Sequence, residues 1–203
     1  MELLVSLTLI AISAYMIKSR DQKRRIVLLA GYLGKYQLEK LMESLTQSYQ
    51  RALSEADPER RARIWSLSTS TELALSEQFN RFVAEFAKVS EPESRISRLA
   101  VAIPYADKLF PAATFDARKL LAIHGKGISR AVHLEHSDDQ ATKDRAYTLS
   151  AEMLLMQHTC HWFCRSKTLA SARMLGRHQT AYAQLLESVA PETRKAYRAV
   201  VGN

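Results

Sequence analysis

The chain has 203 residues, 47% of them apolar and 25% charged, with only 6 Gly and 5 Pro. Glycine and proline together reach about half of their usual share of roughly 12%, which excludes a collagen-like or low-complexity chain and argues against a turn-rich all-β domain. The net charge is +8, from 29 basic and 21 acidic residues, so the basic excess has to be located along the chain before it carries meaning.

The N-terminus reads LLVSLTLIAISAYMI from Leu3 to Ile17, fifteen residues without a charge, and KSRDQKRR follows at once. As a helix this run spans about 22 Å, short of a hydrocarbon layer of about 30 Å, although Lys18 can snorkel and the bilayer can thin. Three readings compete. A cleaved signal peptide needs a positive segment ahead of the apolar run, and here Glu2 is the only side-chain charge there, with Ala11-Ile12-Ser13 a poor cleavage triplet. A buried helix of a soluble protein suits the short length. A single short transmembrane signal-anchor helix is the reading adopted. Lys18, Arg20, Lys23, Arg24 and Arg25 flank the run on its C-terminal side and no basic residue precedes it. The positive-inside rule then puts the main body in the cytoplasm, on the inner (cytoplasmic) membrane of a bacterial-style protein. Two cysteines kept reduced are consistent with that side.

The charge is segregated. Residues 1–25 carry +3, residues 165–203 carry +5, and the stretch between them holds 17 groups of each sign. Both basic ends can face one negative surface, or the C-terminal excess can be a solvated helix face. Arg173 and Arg177 share a face at i,i+4, but no aromatic interleaving or named module accompanies them, and no nucleic-acid partner is expected.

Beyond Arg25, Ile26 opens a long helical pattern softened by Gly31 and Gly34, a hinge or a close helix contact. Leu38, Leu41, Met42, Leu45, Tyr49 and Leu53 continue it at three-to-four spacing. Asp57 predicts an N-cap with Pro58 at the first helical position. An amphipathic stripe follows: Ile64, Leu67, Thr71, Leu75, Phe79, Phe82, Phe86 and Val89. Leu99 to Ile103 reads as a short helix stopped by Pro104, since no second strand is evident to pair with it. Thr114 is expected to cap a helix carrying Leu120, Leu121, His124, Ile128 and Ala131. Ser137 to Gln140 has capping-box spacing and opens a last helical region from about residue 139 to Val189. Unbroken, that region would be about 75 Å long, so a break is expected between Ser166 and Gly176, and Pro191 starts a short terminal helix. The glycines of His124-Gly-Lys-Gly127 lack phosphate-loop spacing and read as a kink or close-packing site.

One segment concentrates reactive side chains. QHTCHWFCRSK, residues 157–167, holds both cysteines and two of the six histidines. On a helix, His158 with His161 and Cys160 with Cys164 are neighbours that can offer soft ligands to zinc or copper. His124, His133 and His136 would have to complete the site from a neighbouring helix. The bland reading is packing, with Cys160 in register with Met153, Met156 and Phe163 as a small hydrophobe. The chain has no CxxCH, Glu-x-x-His, HExxH, Walker or GxSxG pattern.

The sequence therefore predicts an all-α helical bundle: a membrane anchor with its basic flank over residues 1–25, and a cytoplasmic helical domain over 26–203. The expected role is an interaction or scaffold protein without catalytic activity or cofactor, held to lipid by residues 3–17 and the basic flank. Self-association through the Leu38–Leu53 or Ile64–Val89 stripes, or another protein partner, completes it. The alternative is a thiol/imidazole metal-binding or redox-sensing protein centred on His158, Cys160, His161 and Cys164.

Overall fold

The computed structural model describes residues 1–135 and 138–202. It is an all-α bundle with one small β-ribbon: α1 Glu2–Leu33, α2 Leu38–Ser54, α3 Pro58–Phe86, α4 Glu91–Ser94, β1 Arg95–Ser97, α5 Ala106–Leu109, a 3-10 turn Pro111–Ala113, β2 Thr114–Asp116, α6 Ala117–His133, α7 Asp139–Cys164, α8 Lys167–His178, α9 Tyr182–Ser188 and α10 Pro191–Val201.

The first helix has two halves with different surroundings. Every residue from Met1 to Ile17 is exposed, whereas Gln22 and Leu29 are buried against the body. The apolar run and the docked half form one unbroken helix of 32 residues, about 48 Å long. The expected division at residue 25 therefore falls inside a continuous helix. Gly31 is no hinge: it sits inside α1 with nothing near the place its Cβ would occupy. Gly34 ends the helix in ordinary right-handed geometry, its N–H bonded to the Ala30 carbonyl.

Helices α2 and α3 form an antiparallel pair, closed by a turn that Asp57 terminates. Its carboxylate accepts from the Glu59 amide at 2.9 Å, and Pro58 occupies the first helical position as expected. α2 buries Leu38, Met42, Leu45, Tyr49 and Ala52. The stripe on α3 is right in its second half, where Leu75, Phe79, Phe82 and Phe86 are buried. It is one residue out in its first half, where Trp65, Ser68 and Glu72 face inward and Leu67 is exposed. The sequence stripe followed apolar residues; the helix buries the face that carries Glu72, because a partner waits for it. Most of each stripe is covered by the chain itself, with Leu53 and Leu67 left exposed.

The segment after α3 departs furthest from expectation. Leu99–Ile103 forms no helix. A strand forms just upstream, and its partner lies past the two prolines: Arg95 pairs with Asp116, Ile96 with Phe115 and Ser97 with Thr114, antiparallel. Ile96 and Phe115 are buried, and Trp162 seals the ribbon by donating to the Ser97 carbonyl at 2.9 Å and meeting Phe115 edge-on at 5.1 Å. Thr114 belongs to β2; Asp116 caps α6, accepting from the Arg118 amide at 2.8 Å. Asp138 caps α7 through the Ala141 amide, while Ser137 lies outside the described residues. The long last region breaks at Arg165–Ser166, at the start of the expected window, and again at Gln179, whose φ of 52° turns the chain into α9. Pro191 opens α10 as expected.

The glycines of α6 are close-packing sites. A Cβ on Gly127 would lie 2.6 Å from Thr193 Oγ1 and collide with Glu152 Oε2, while one on Gly176 would meet nothing. Gly127→Ala is therefore expected to lower stability by about 1–3 kcal/mol through overpacking. Gly176→Ala is expected to raise it by roughly 0.5–1 kcal/mol, since only helix propensity changes. Thermal unfolding of the two variants reads the opposite signs directly.

Candidate functional site

The reactive segment sits in the C-terminal half of α7, and the structure sends its members in different directions. His158 is buried, with Nε2 3.0 Å from Ser171 Oγ on α8 and its ring stacked on Tyr182 of α9 at 4.6 Å. Cys160 touches Met156, Sγ to Sδ 3.9 Å, and burial pushes its thiol up to about 12; burial likewise raises Cys164 to about 11. Thiols held protonated in this way are poor nucleophiles and poor ligands. His161 is half-buried, its pKa lowered by burial and then by Arg173 and Arg177. His124 bonds Thr159 Oγ1 at 2.8 Å, and His133 donates to the Ser129 carbonyl at 2.7 Å. His136 lies outside the described residues. Among the described residues no three His, Cys, Asp or Glu side chains are grouped so as to hold a metal ion.

What α7 does carry is a ladder of polar residues on its inward face at seven-residue spacing: Arg145, Glu152 and Thr159, all buried. Each meets a different helix. Arg145 makes two bonds to the carboxylate of Glu72 on α3, at 2.5 and 3.2 Å, and Tyr49 of α2 donates to the same carboxylate. Burial, with the Glu72 charge adding to it, holds the Tyr49 hydroxyl protonated far above its usual range. Glu152 accepts the Ala190 amide at 3.2 Å, so it serves the start of α10, where Ala190 offers no side-chain cap. Burial raises the Glu152 carboxyl to about 7, against the lowering effect of Thr193 and the Ala190 amide. Thr159 meets His124, which burial lowers to about 3; burial and Lys167 lower His158 to about 4. Both imidazoles are therefore neutral near pH 7.

Sequence periodicity missed Glu72, Arg145 and Glu152, because it tracks apolar residues. The available signal was positional: each lies seven residues from another inward position on its own helix. A buried charge with one partner at one height fixes helix register, since a slip of one turn would strand it.

An open groove of about 580 Å³ lies between α3 and α6, lined by Ser76, Asn80, Ser129 and His133 among others. Its polar groups are bonded to one another: Ser76 with Ser129 at 3.0 Å, Asn80 to Ser129 at 2.7 Å and His133 to the Ser129 carbonyl.

The remaining distinctive feature is α1. It runs antiparallel to α3: Tyr32 meets Phe86 edge-on at 5.5 Å, Tyr36 meets Phe82 at 6.3 Å, and the Gln37 amide donates to Gln78. Nearer the apolar half, Gln22 accepts from Arg165 at 2.7 Å, Arg24 pairs with Glu93, and Arg25 donates to the Arg95 carbonyl at 2.7 Å. The body thus has a near end, where α4, the β1–β2 ribbon and the end of α7 gather around residues 21–25. Its far end carries the α2–α3 turn, where Arg61 pairs with Asp139 at the start of α7. The C-terminal basic excess divides accordingly. Arg165 and Lys167 join the near end, while Arg194 and Arg198 pair with Glu187.

Glu2–Leu33 contains a stretch long and apolar enough to cross a membrane, and none of that stretch is buried by the rest of the chain. No protein-family model, curated protein or solved structure matches the chain, so its functional reading rests on its own residues.

Proposed function

We propose that the protein is a single-pass inner-membrane protein of bacterial type, whose N-terminal helix anchors a cytoplasmic interaction or scaffold domain without catalytic activity. The observation that carries this reading is the contrast within α1: residues 3–17 are exposed and uncharged, while Gln22, Arg25 and Leu29 are locked into the body. Apolar side chains exposed over four turns are unfavourable in water and favourable in lipid. The orientation rests on the basic flank, Lys18 to Arg25, with no basic residue before the apolar run. The non-catalytic part of the reading is supported by the way the core's ionisable groups bridge helices, Glu72 to Arg145 and Glu152 to the start of α10.

The test is fractionation of cells expressing the full chain and a form lacking residues 2–17. The cut leaves the docked half of α1 intact, which removal of residues 1–25 would not. The full chain is expected in the carbonate-resistant membrane fraction and the shortened one in the supernatant. A soluble full chain overturns the anchor. Protease added to spheroplasts is expected to leave the body intact; digestion from outside overturns the orientation.

A further inference from the structure

Four large apolar side chains are exposed within ten residues of the near end: Val101, Tyr105, Leu109 and Phe110, with Val101 60% and Leu109 62% exposed. Isolated exposed apolar residues need no explanation, but a cluster displayed by a short segment does. This segment is held at both ends and presents its middle. The Thr168 amide and hydroxyl both bond the Ala100 carbonyl, the hydroxyl at 2.7 Å. Arg98 bonds the carbonyls of Ala112 and Val200. Between these ties Ala106 turns inward, and Tyr105 adopts φ 54°, a left-handed conformation rare for a bulky residue.

The height of the segment along α1 is fixed. Leu99, Val101 and Ile103 line a cavity of about 20 Å³ together with Asp21 and Arg25. Those two α1 residues lie four and eight positions past Ile17, about 6 and 12 Å along the helix. If residues 3–17 lie in hydrocarbon, Asp21 stands within the headgroup layer, about 5–8 Å thick on each side, and Arg25 just above it. Tyr105 stands within electrostatic reach of Arg24, and Lys108 Nζ lies 5.7 Å from the Tyr105 ring centre. Lys18, Lys23, Arg165 and Lys167 surround the same end, with Asp107 the acidic residue of the segment. Glu91 and Glu93 are paired with Arg95 and Arg24.

We propose that residues 101–110 form a second membrane-contact surface, seated in the anionic face of the bilayer that α1 enters. The proposal rests on the anchor reading and extends it from a tether to a two-point attachment. Apolar and aromatic tips among basic groups are what an interfacial segment presents to headgroups and upper acyl chains. A second copy of the chain or another membrane protein would not require the cluster at this height, nor basic groups around it.

The experiment uses the full chain in vesicles of phosphatidylcholine and phosphatidylglycerol, some of whose acyl chains are brominated to quench tryptophan. Three variants are compared with the unsubstituted chain, whose Trp65 and Trp162 are buried: Ile10→Trp in the apolar run, Phe110→Trp in the segment, and Leu67→Trp on the far half of α3. Each replaces an exposed side chain, so folding is not at stake. Ile10→Trp and Phe110→Trp are both expected to lose emission on bromination, and Leu67→Trp to keep it. Quenching at Ile10→Trp with none at Phe110→Trp overturns the second contact and leaves the anchor standing. A blue-shifted but unquenched Phe110→Trp assigns the surface to a protein neighbour and overturns the proposal. Quenching at Phe110→Trp alone keeps the surface and removes the span, and quenching at neither overturns both.

Discussion

Glu72→Leu, with Arg145 left in place, is expected to be the most damaging single substitution in the body, lowering stability by about 3–5 kcal/mol. Arg145 is buried, and Glu72 supplies both of its hydrogen bonds to a carboxylate. Removing Glu72 leaves a guanidinium in the core without its counter-charge, and the Tyr49 hydroxyl loses its acceptor at the same time. For a protein of this size the loss corresponds to a fall in Tm of roughly 6–20 °C. The double variant Glu72→Leu, Arg145→Met is expected to recover most of it, because a well-packed apolar pair avoids the desolvation that the charges endure. Thermal unfolding of both variants in detergent measures the difference. A single variant within about 1 kcal/mol of the parent would show that the pair does not organise this part of the core.

Acid is expected to unfold the protein through its neutral histidines. Burial holds His124 at about 3 and His158 at about 4, while in the unfolded chain both return to about 6.5. Between pH 6.5 and 4 the unfolded state therefore binds protons that the folded state refuses, and stability falls as pH falls. Glu152 acts in the other sense. Its folded value of about 7 lies above the unfolded 4.5, so its contribution is complete below pH 4.5 and is lost as pH rises through 7. Two histidine effects of about 3 kcal/mol each oppose one carboxyl effect of similar size, and the net expectation is a loss of roughly 3 kcal/mol between pH 7 and 4. Denaturant unfolding across that range tests it. Glu152→Gln should steepen the acid decline between pH 7 and 4.5, and His158→Asn should flatten it; a parent equally stable at pH 4 and 7 would refute the balance.

Much of this architecture is legible in the residues. The breaker-poor composition, the Asp57-Pro58 start of α3, the buried Phe79, Phe82 and Phe86, the break near Ser166 and the Pro191 start of α10 all follow from local rules that tertiary packing does not overturn. Other features lie beyond such rules. The pairing of β1 with β2 joins two three-residue strands 17 residues apart, each too short to show a period of two. The inward turn of Glu72 depends on Arg145, 73 positions away. The reactive side chains around Cys160 were visible as a cluster in the chain but not as a scattered set in space. On one helix, residues two apart point to opposite sides, and His158 went to Ser171 while Cys160 went to Met156. The basic C-terminus divides for the same reason, part of it beside α1 and part of it on Glu187.

Because α1 passes from Met1's end to Leu33 without a break, its apolar half and its docked half share one helical phase. One residue inserted between Ile17 and Gln22 would turn the first half against the second by about 100° and lengthen the arm by about 1.5 Å. Seven inserted residues would bring the faces back to within about 20° while lifting the body by about 10 Å. The junction thus behaves as a ruler and a protractor together: its residue count sets both how far the body stands from the apolar helix and which side it presents.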